Sequence, residues 1–226
     1  MARIVCISDT HGFHRSLDVP EGDVLVHAGD ITSSGEISTI IDFGLWLREL
    51  PHPHKVIVPG NHDFCFDISH AKFRPEARLL LEEVPDVHFL FDVSRVVAGL
   101  KFYGSPWVPN LQGWAFFDRG VDRFERAPRD IDVLVTHGPP ANVRDRGRDH
   151  DTQREHHFGS QSLLRYQRRC FSLKLHVFGH VHEAYGREGE SPIIVNAASC
   201  TPAPYRPEHP PIIVDLGPTL KPETPS

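Results

Sequence analysis

The sequence predicts an α/β domain with at least one mixed sheet. Two observations lead there: short apolar, β-branched runs recur along the chain, and helical patterns separate them early while the later part is strand-rich. A third concerns where the polar residues stand. Five of the apolar runs end in residues able to bind metal or phosphate, so the strand ends are the place to look for chemistry.

The runs, in order, are 3-RIVCIS-8, 24-VLVHA-28, 55-KVIV-58, 132-DVLVT-136, 174-KLHVF-178, 192-PIIVN-196 and 211-PIIVD-215. Four to six residues long and rich in Val and Ile, they suit buried strands better than helix fragments. A helix is predicted over residues 36–50. Ser33 with Glu36 three residues later has the spacing of a capping box, and Pro51 ends the pattern. Its apolar residues fall at 37, 40, 41 and 45 and also at 43, 46, 47 and 50, which predicts burial on two sides. Further helices are predicted near 75–83 and 159–170. Residues 138–160 are charged and aperiodic, as expected of a functional loop or a mobile insertion. The end, 217–226, reads as a frayed tail after a single domain over residues 1–216.

Composition narrows the class. A net charge of −6 argues against a dedicated binder of long nucleic acid, which carries a basic footprint. No run of eighteen apolar residues and no secretory leader pattern are present, so the expectation is a cytoplasmic protein without a membrane span. The four cysteines, Cys6, Cys65, Cys170 and Cys200, form no C-x-x-C pair and are expected as free buried thiols. Histidine stands out at 16 residues, and imidazole is both the commonest metal ligand and the physiological acid/base. His27 and His176 lie inside apolar runs and are expected as hydrogen-bonded core residues.

The five clusters are Ser8-Asp9-Thr10-His11, Gly29-Asp30, Gly60-Asn61-His62-Asp63, His137-Gly138 and Gly179-His180-Val181-His182. Each alone is weak, since chance supplies about one D-x-H in a chain of this composition. A second copy does occur, Asp86-Val87-His88, but it precedes an apolar run instead of closing one. His52-Pro53-His54 likewise sits before a strand. In extended backbone the side chains of i and i+2 point the same way, so Asp9 with His11, and His180 with His182, can each face one ion. Imidazole, carboxylate and amide oxygen without thiolate suit Mn²⁺, Fe or Zn²⁺. Asp9, His11, Asp30, Asn61, His137, His180 and His182 exceed what one ion needs. Shared through a bridging carboxylate, they would hold two ions roughly 3.5 to 4 Å apart.

The ordered series D-x-H, G-D, G-N-H-D, H-G and G-H-x-H resembles the calcineurin-like metallophosphoesterase superfamily. The stretches 104-GSPW-107, 136-THGPP-140, 176-HVFGHVHEAYG-186, 194-IVNAASC-200 and 209-HPPIIVDL-216 further resemble its metallophosphoesterase-domain-containing branch. The resemblance runs from about residue 3 to 216. It implies a four-layer α/β/β/α sandwich of two mixed sheets with helices outside. It also implies one metal on Asp9, His11, Asp30 and His182, and a second on Asp30, Asn61, His137 and His180. Some members of that branch lack the histidine at the place of His180 and are weak catalysts; here it is present. Many members of the superfamily carry Asp or His three residues after the bridging aspartate, to orient the histidine of G-N-H. This chain has Ser33 there, which leaves His62 without that partner.

The expected chemistry is hydrolysis of a phosphodiester or nucleotide phosphoester. Two cations, Mn²⁺ foremost, would share a water and lower its pKa from 15.7 toward roughly 7. His62, beside Asn61, would protonate the leaving oxygen. The expected partner is a small phosphorylated substrate, nucleotides included. Two other readings stand beside this one. A nucleotide-binding regulator with weak residual hydrolysis has no need of His180, and a phosphoprotein phosphatase needs a peptide groove that a chain of this length supplies less easily. Trp107, Trp114, Phe116, Phe117 and Tyr185 are candidates to stack on a base. Arg144, Arg146, Arg148 and Arg154, with His150, His156 and His157, line the 138–160 loop, where Asp145, Asp149, Asp151 and Glu155 favour a solvated mixed-charge surface over a phosphate clamp.

Overall fold

The computed structural model describes residues 1–120, 123–148, 152 and 154–217. The 217–226 tail thus lies outside the described residues except for Gly217, and so does His150. Strands β1 (Ala2–Ile7), β2 (Val24–His27), β3 (His54–Ile57) and β4 (Val87–Phe89) run parallel, and β13 (Ile212–Leu216) pairs antiparallel with β1. They form one five-stranded mixed sheet, ordered β13-β1-β2-β3-β4. The second sheet has six strands. Its parallel centre is β6 (Leu100–Ser105), β7 (Val133–Thr136), β10 (Leu175–Phe178) and β12 (Ile193–Asn196). Its antiparallel edges are β5 (Val93–Val97) beside β6 and β11 (Gly186–Glu188) beside β12.

Strict alternation in the strands assigns the layers. Ile4 and Cys6 of β1, Val24 and Val26 of β2, and Val133, Val135, Leu175 and Val177 of the second sheet share one core between the sheets. The residues between them point the other way. Val5, Ile7, Leu25 and Ile57 meet Ile40, Phe43, Trp46 and Leu47 of α1 (Ile37–Glu49) and Ala77 and Leu81 of α2 (Pro75–Glu82). On the far side, Tyr103 and Leu134 meet Leu163 and Tyr166 of α3 (Gln161–Gln167). The result is the four-layer sandwich, with strands buried on both faces as parallel sheets require. Each large side chain buried this way contributes about 1.5–3 kcal/mol.

Several expectations need correcting. The capping box does not form: α1 starts after Glu36 without a side-chain cap, because the Ser33 hydroxyl donates instead to the His11 carbonyl. Only one face of α1 is covered; Ile41 and Leu45 are 46% and 52% exposed. Strands β4, β5, β6 and β11 were not anticipated, since edge strand β5 is largely exposed and β6 is interrupted by Lys101 and Gly104. The 138–160 loop carries a short hairpin, β8 (Arg146–Arg148) against β9 (Glu155–His157). All four cysteines are free and buried. Among the described residues no helix is long and apolar enough to cross a membrane.

Gly104 marks close packing of the two layers. A Cβ there would overlap the Leu90 side chain and press on Val58, both in the intersheet core. Overpacking of that kind costs about 1–3 kcal/mol. Gly104→Ala should therefore lower the unfolding midpoint in denaturant with an unchanged m-value, and an unaltered midpoint would show that the layers are looser than described.

Candidate metal centre

The parallel strands of both sheets deliver their carboxyl ends to one place. Beyond β1, β2, β3, β7 and β10 come Asp9, Asp30, Asn61, His137 and His180, in that order. Backbone hydrogen bonds sew the ends together: Asp9 N to Gly29 O at 2.8 Å, Gly179 N to His137 O at 2.9 Å and Ser199 N to Ser8 O at 2.8 Å. The last of these crosses between the sheets. The turns are sharp enough that Asp9, His11, Asp30 and His180 all adopt positive φ, between 44° and 67°. Asp and His tolerate that region better than most residues, yet each costs of order 1–3 kcal/mol, strain that elsewhere clusters at functional sites. Space is equally tight. A Cβ on Gly60 would overlap the Asp30 carboxylate, and one on Gly179 would overlap that of Asp9.

Each of three histidines is pinned through Nδ1. His11 Nδ1 lies 3.2 Å from Thr32 O, His137 Nδ1 2.9 Å from Ala28 O and His182 Nδ1 3.0 Å from Thr201 O. Donation to these carbonyls fixes each ring and turns its Nε2 toward the site, the arrangement found behind metal-bound imidazoles. His11 Nε2 is 3.4 Å from His182 Nε2, and His182 Nε2 is 3.3 Å from Asp9 Oδ1. His137 Nε2 is 2.8 Å from Asn61 Oδ1 and 3.3 Å from Asp30 Oδ2. Asp30 Oδ2 also lies 3.9 Å from His11 Nε2 and 4.0 Å from His62 Nε2, so it stands at the middle of the cluster.

Burial opposes ionisation of Asp9 and Asp30, but the neighbouring histidines overcome it and hold both carboxyls below the usual range. Burial likewise opposes the charge on His137, and Asp30 outweighs it, lifting the imidazole to about 9. His11 and His180 are pulled down by burial, to about 4 and about 3, and stay neutral. At His182, as at His137, burial is outweighed, here by the hydrogen bond to Asp9, which raises the imidazole. Carboxylate oxygens and imidazole nitrogens gathered this closely are a donor set for divalent cations. Among the described residues three groups bring their ligand atoms within 4.8 Å of one another: Asp9, His11 and His182; His11, Asp30 and His62; and Asp9, Asp30 and His137.

The structure thus gathers Asp9, His11, Asp30, Asn61, His137 and His182 at one point. His180 differs. Its backbone N–H donates to both Asp9 oxygens at 3.0 Å, while its ring lies edge-on to His137 at 5.1 Å and to Phe158 at 5.8 Å, outside the three groups. His62 is oriented after all. Its Nδ1 is 2.8 Å from the main-chain carbonyl of Ser33, so the backbone supplies the partner that the Ser33 side chain does not.

Two further residues act here: Asp63, which the G-N-H-D cluster contains without a role of its own, and Tyr205, which no motif marks. Asp63 accepts from Gly60 N, Ile31 N, Thr32 N and the Thr32 hydroxyl at 2.8–3.2 Å, locking the Asp30 and Asn61 turns together. Burial and the charge of Asp30 push its carboxyl up to about 6 even so. Tyr205 stacks on His11 at 3.8 Å and 3°. It comes from the proline-rich stretch after β12, where no periodicity or motif marks it. Of the aromatic candidates, Trp114 touches the site, 4.5 Å from the His62 ring. Trp107 is covered by Arg123 at 3.3 Å, Phe116 is fully buried and Tyr185 is stacked on His209. Arg144 is spent on the carbonyls of Ala184, Tyr185 and Arg187, so it ties the long loop to the segment that follows His182 and is no phosphate clamp. His27 and His176 are core residues bonded to Thr10 and Thr136. The second D-x-H and the H-x-H lie at the amino ends of β4 and β3, away from the site.

Residues 2–184 match the calcineurin-like phosphoesterase family. The chain belongs to that family. It is similar to metallophosphoesterase domain-containing protein 1 of Homo sapiens, 36% identical over 95% of this chain and 71% of that protein. A UPF0046 protein of Caenorhabditis elegans is 38% identical over 95% of this chain and 80% of its own length. Among solved structures, phosphopantetheinyl hydrolase from Mycobacterium tuberculosis shares the fold, with a TM-score of 0.60, 16% identity and coverage of 97% and 98%. As a family member the chain is a metallophosphoesterase whose buried carboxylates and imidazoles suit divalent metal.

Gly60→Ala tests the tightness of the cage directly. The added methyl has to displace Asp30, so the variant should stay folded by circular dichroism yet lose metal on dialysis, as read by elemental analysis. Retention of the native metal content would contradict the placement of Asp30.

Proposed function

We propose that this phosphoesterase uses two divalent ions, Mn²⁺ foremost, to hydrolyse phosphodiester or nucleotide phosphoester bonds. The observation that carries this reading is the central place of Asp30 Oδ2, with His137 Nε2 at 3.3 Å and His11 Nε2 at 3.9 Å, where one carboxylate can serve two ions. Asp9, His11, Asp30 and His182 would hold one ion; Asp30, Asn61, His137 and His180 would hold the other. Bound there, the ions would supply an activated water and neutralise charge developing at phosphorus. His180 would need its ring to turn toward the second site, while its backbone N–H keeps Asp9 in place.

The protein's own groups do the rest. His62, held through Nδ1 by Ser33 O, presents Nε2 to the site and gives its proton to the leaving oxygen. Trp114, 39% exposed, walls His62 and opens onto a groove of about 1480 Å³ that also passes Phe117 and Arg119. That groove adjoins the site through Trp114 and is lined by none of the metal-site residues.

The purified chain, stripped with EDTA, should lose hydrolysis of bis-p-nitrophenyl phosphate and regain it with Mn²⁺. Full activity in protein proven metal-free would end the two-metal reading, and cleavage of the monoester p-nitrophenyl phosphate alone would remove the diester preference.

His62→Ala should keep its metal and lose kcat by about tenfold or more, within the usual range of general-acid effects. The loss should be largest for alkyl leaving groups and smallest for p-nitrophenol. Equal losses across such a series would show that His62 does not protonate the leaving oxygen.

A further inference from the structure

His62 has one nitrogen left for chemistry. Nδ1 is committed to the Ser33 carbonyl, so a substrate oxygen that takes a proton from this ring has to come to Nε2. The polar atom already there is the hydroxyl of Tyr205, 3.4 Å from Nε2. We propose that Tyr205 is a substrate-contacting residue, its hydroxyl donating a hydrogen bond to an oxygen of the bound phosphoryl group. The inference rests on the phosphoesterase reading above and adds a residue to it.

The geometry leaves the hydroxyl few other roles. Nε2 and the phenol hydroxyl lie side by side, so an oxygen that approaches Nε2 comes within reach of the phenol as well. A phenol donating to an anionic phosphoryl oxygen makes a charge-assisted bond, about twice as strong as a neutral one. No proton leaves Tyr205 in this step; the proton taken by the leaving oxygen comes from His62.

The ring is also fixed in advance. It stacks face to face on His11 at 3.8 Å and lies 5.4 Å from the His182 ring, so the hydroxyl keeps a set position relative to both. Its loop is anchored on either side. Thr201 N donates to Arg206 O at 2.9 Å, His209 Nδ1 lies 2.8 Å from Ala198 O, and Thr201 O is the carbonyl that pins His182. A donor held this way needs no reorganisation when charge develops at phosphorus.

The test uses the full chain loaded with Mn²⁺, native and Tyr205→Phe, with inorganic phosphate as the probe. The phenyl ring keeps its place on His11, so metal content by elemental analysis should be unchanged. Phosphate affinity by calorimetry should fall about tenfold, as for a lost hydrogen bond to a charged group, and KM for bis-p-nitrophenyl phosphate should rise. Unchanged phosphate affinity and KM would overturn the inference, and so would loss of metal, which would make Tyr205 a support for His11 instead. A native protein that neither binds phosphate nor hydrolyses any ester would remove the phosphoesterase reading itself.

Discussion

Everything at this site depends on one electrostatic constraint: two carboxylates and several imidazoles are buried together, their oxygens and ring nitrogens turned toward a common point. Asp9, Asp30 and the pinned faces of His11, His137 and His182 are held together by the rest of the fold, against the cost of burying charge. Each brace offsets part of that cost. Asp63 shows the scale, since deleting its carboxylate would strand three backbone donors at about 1–3 kcal/mol apiece, while the Thr32 hydroxyl keeps the His62 carbonyl. Positive φ at Asp9, His11, Asp30 and His180 adds to the load. The intersheet core and the helix-covered faces supply the stability that offsets it, as parallel strands buried on both sides allow.

The fold explains why the cluster is where it is. Parallel strands end on the same edge, and each ends in a turn that needs small or polar residues. Two sheets packed face to face bring two such edges together, so β1, β2 and β3 meet β7 and β10. Bonds such as Ser199 N to Ser8 O close the seam between them.

Much of this was legible in the chain itself, for definable reasons. Seven runs read as strands because they are short, β-branched and apolar, most of them buried on both faces, and the ligands read as ligands because they close such runs. What escaped has equally definite causes. Strand β5 is exposed and carries no alternation, and β6 is broken by Lys101 and by a glycine that packing demands. The capping signal at Ser33 was real as spacing but lost to the site, which draws the hydroxyl to His11 and the carbonyl to His62. Asp63 stands in the G-N-H-D motif, but its bonds to Ile31 and Thr32 depend on tertiary position, and Tyr205 lies in a stretch with no pattern to read.

The histidines are aimed by main-chain carbonyls, those of Ala28, Thr32, Ser33 and Thr201. A carbonyl is present whatever side chain its residue bears, so substitutions at Ala28, Ser33 or Thr201 leave the aiming device intact as long as the backbone holds its course. Heredity of the site's orientation therefore resides in chain path and not in residue identity. Relatives can drift at these positions while keeping the same imidazole geometry. Comparing side chains among them will under-report how much of the active site they still share.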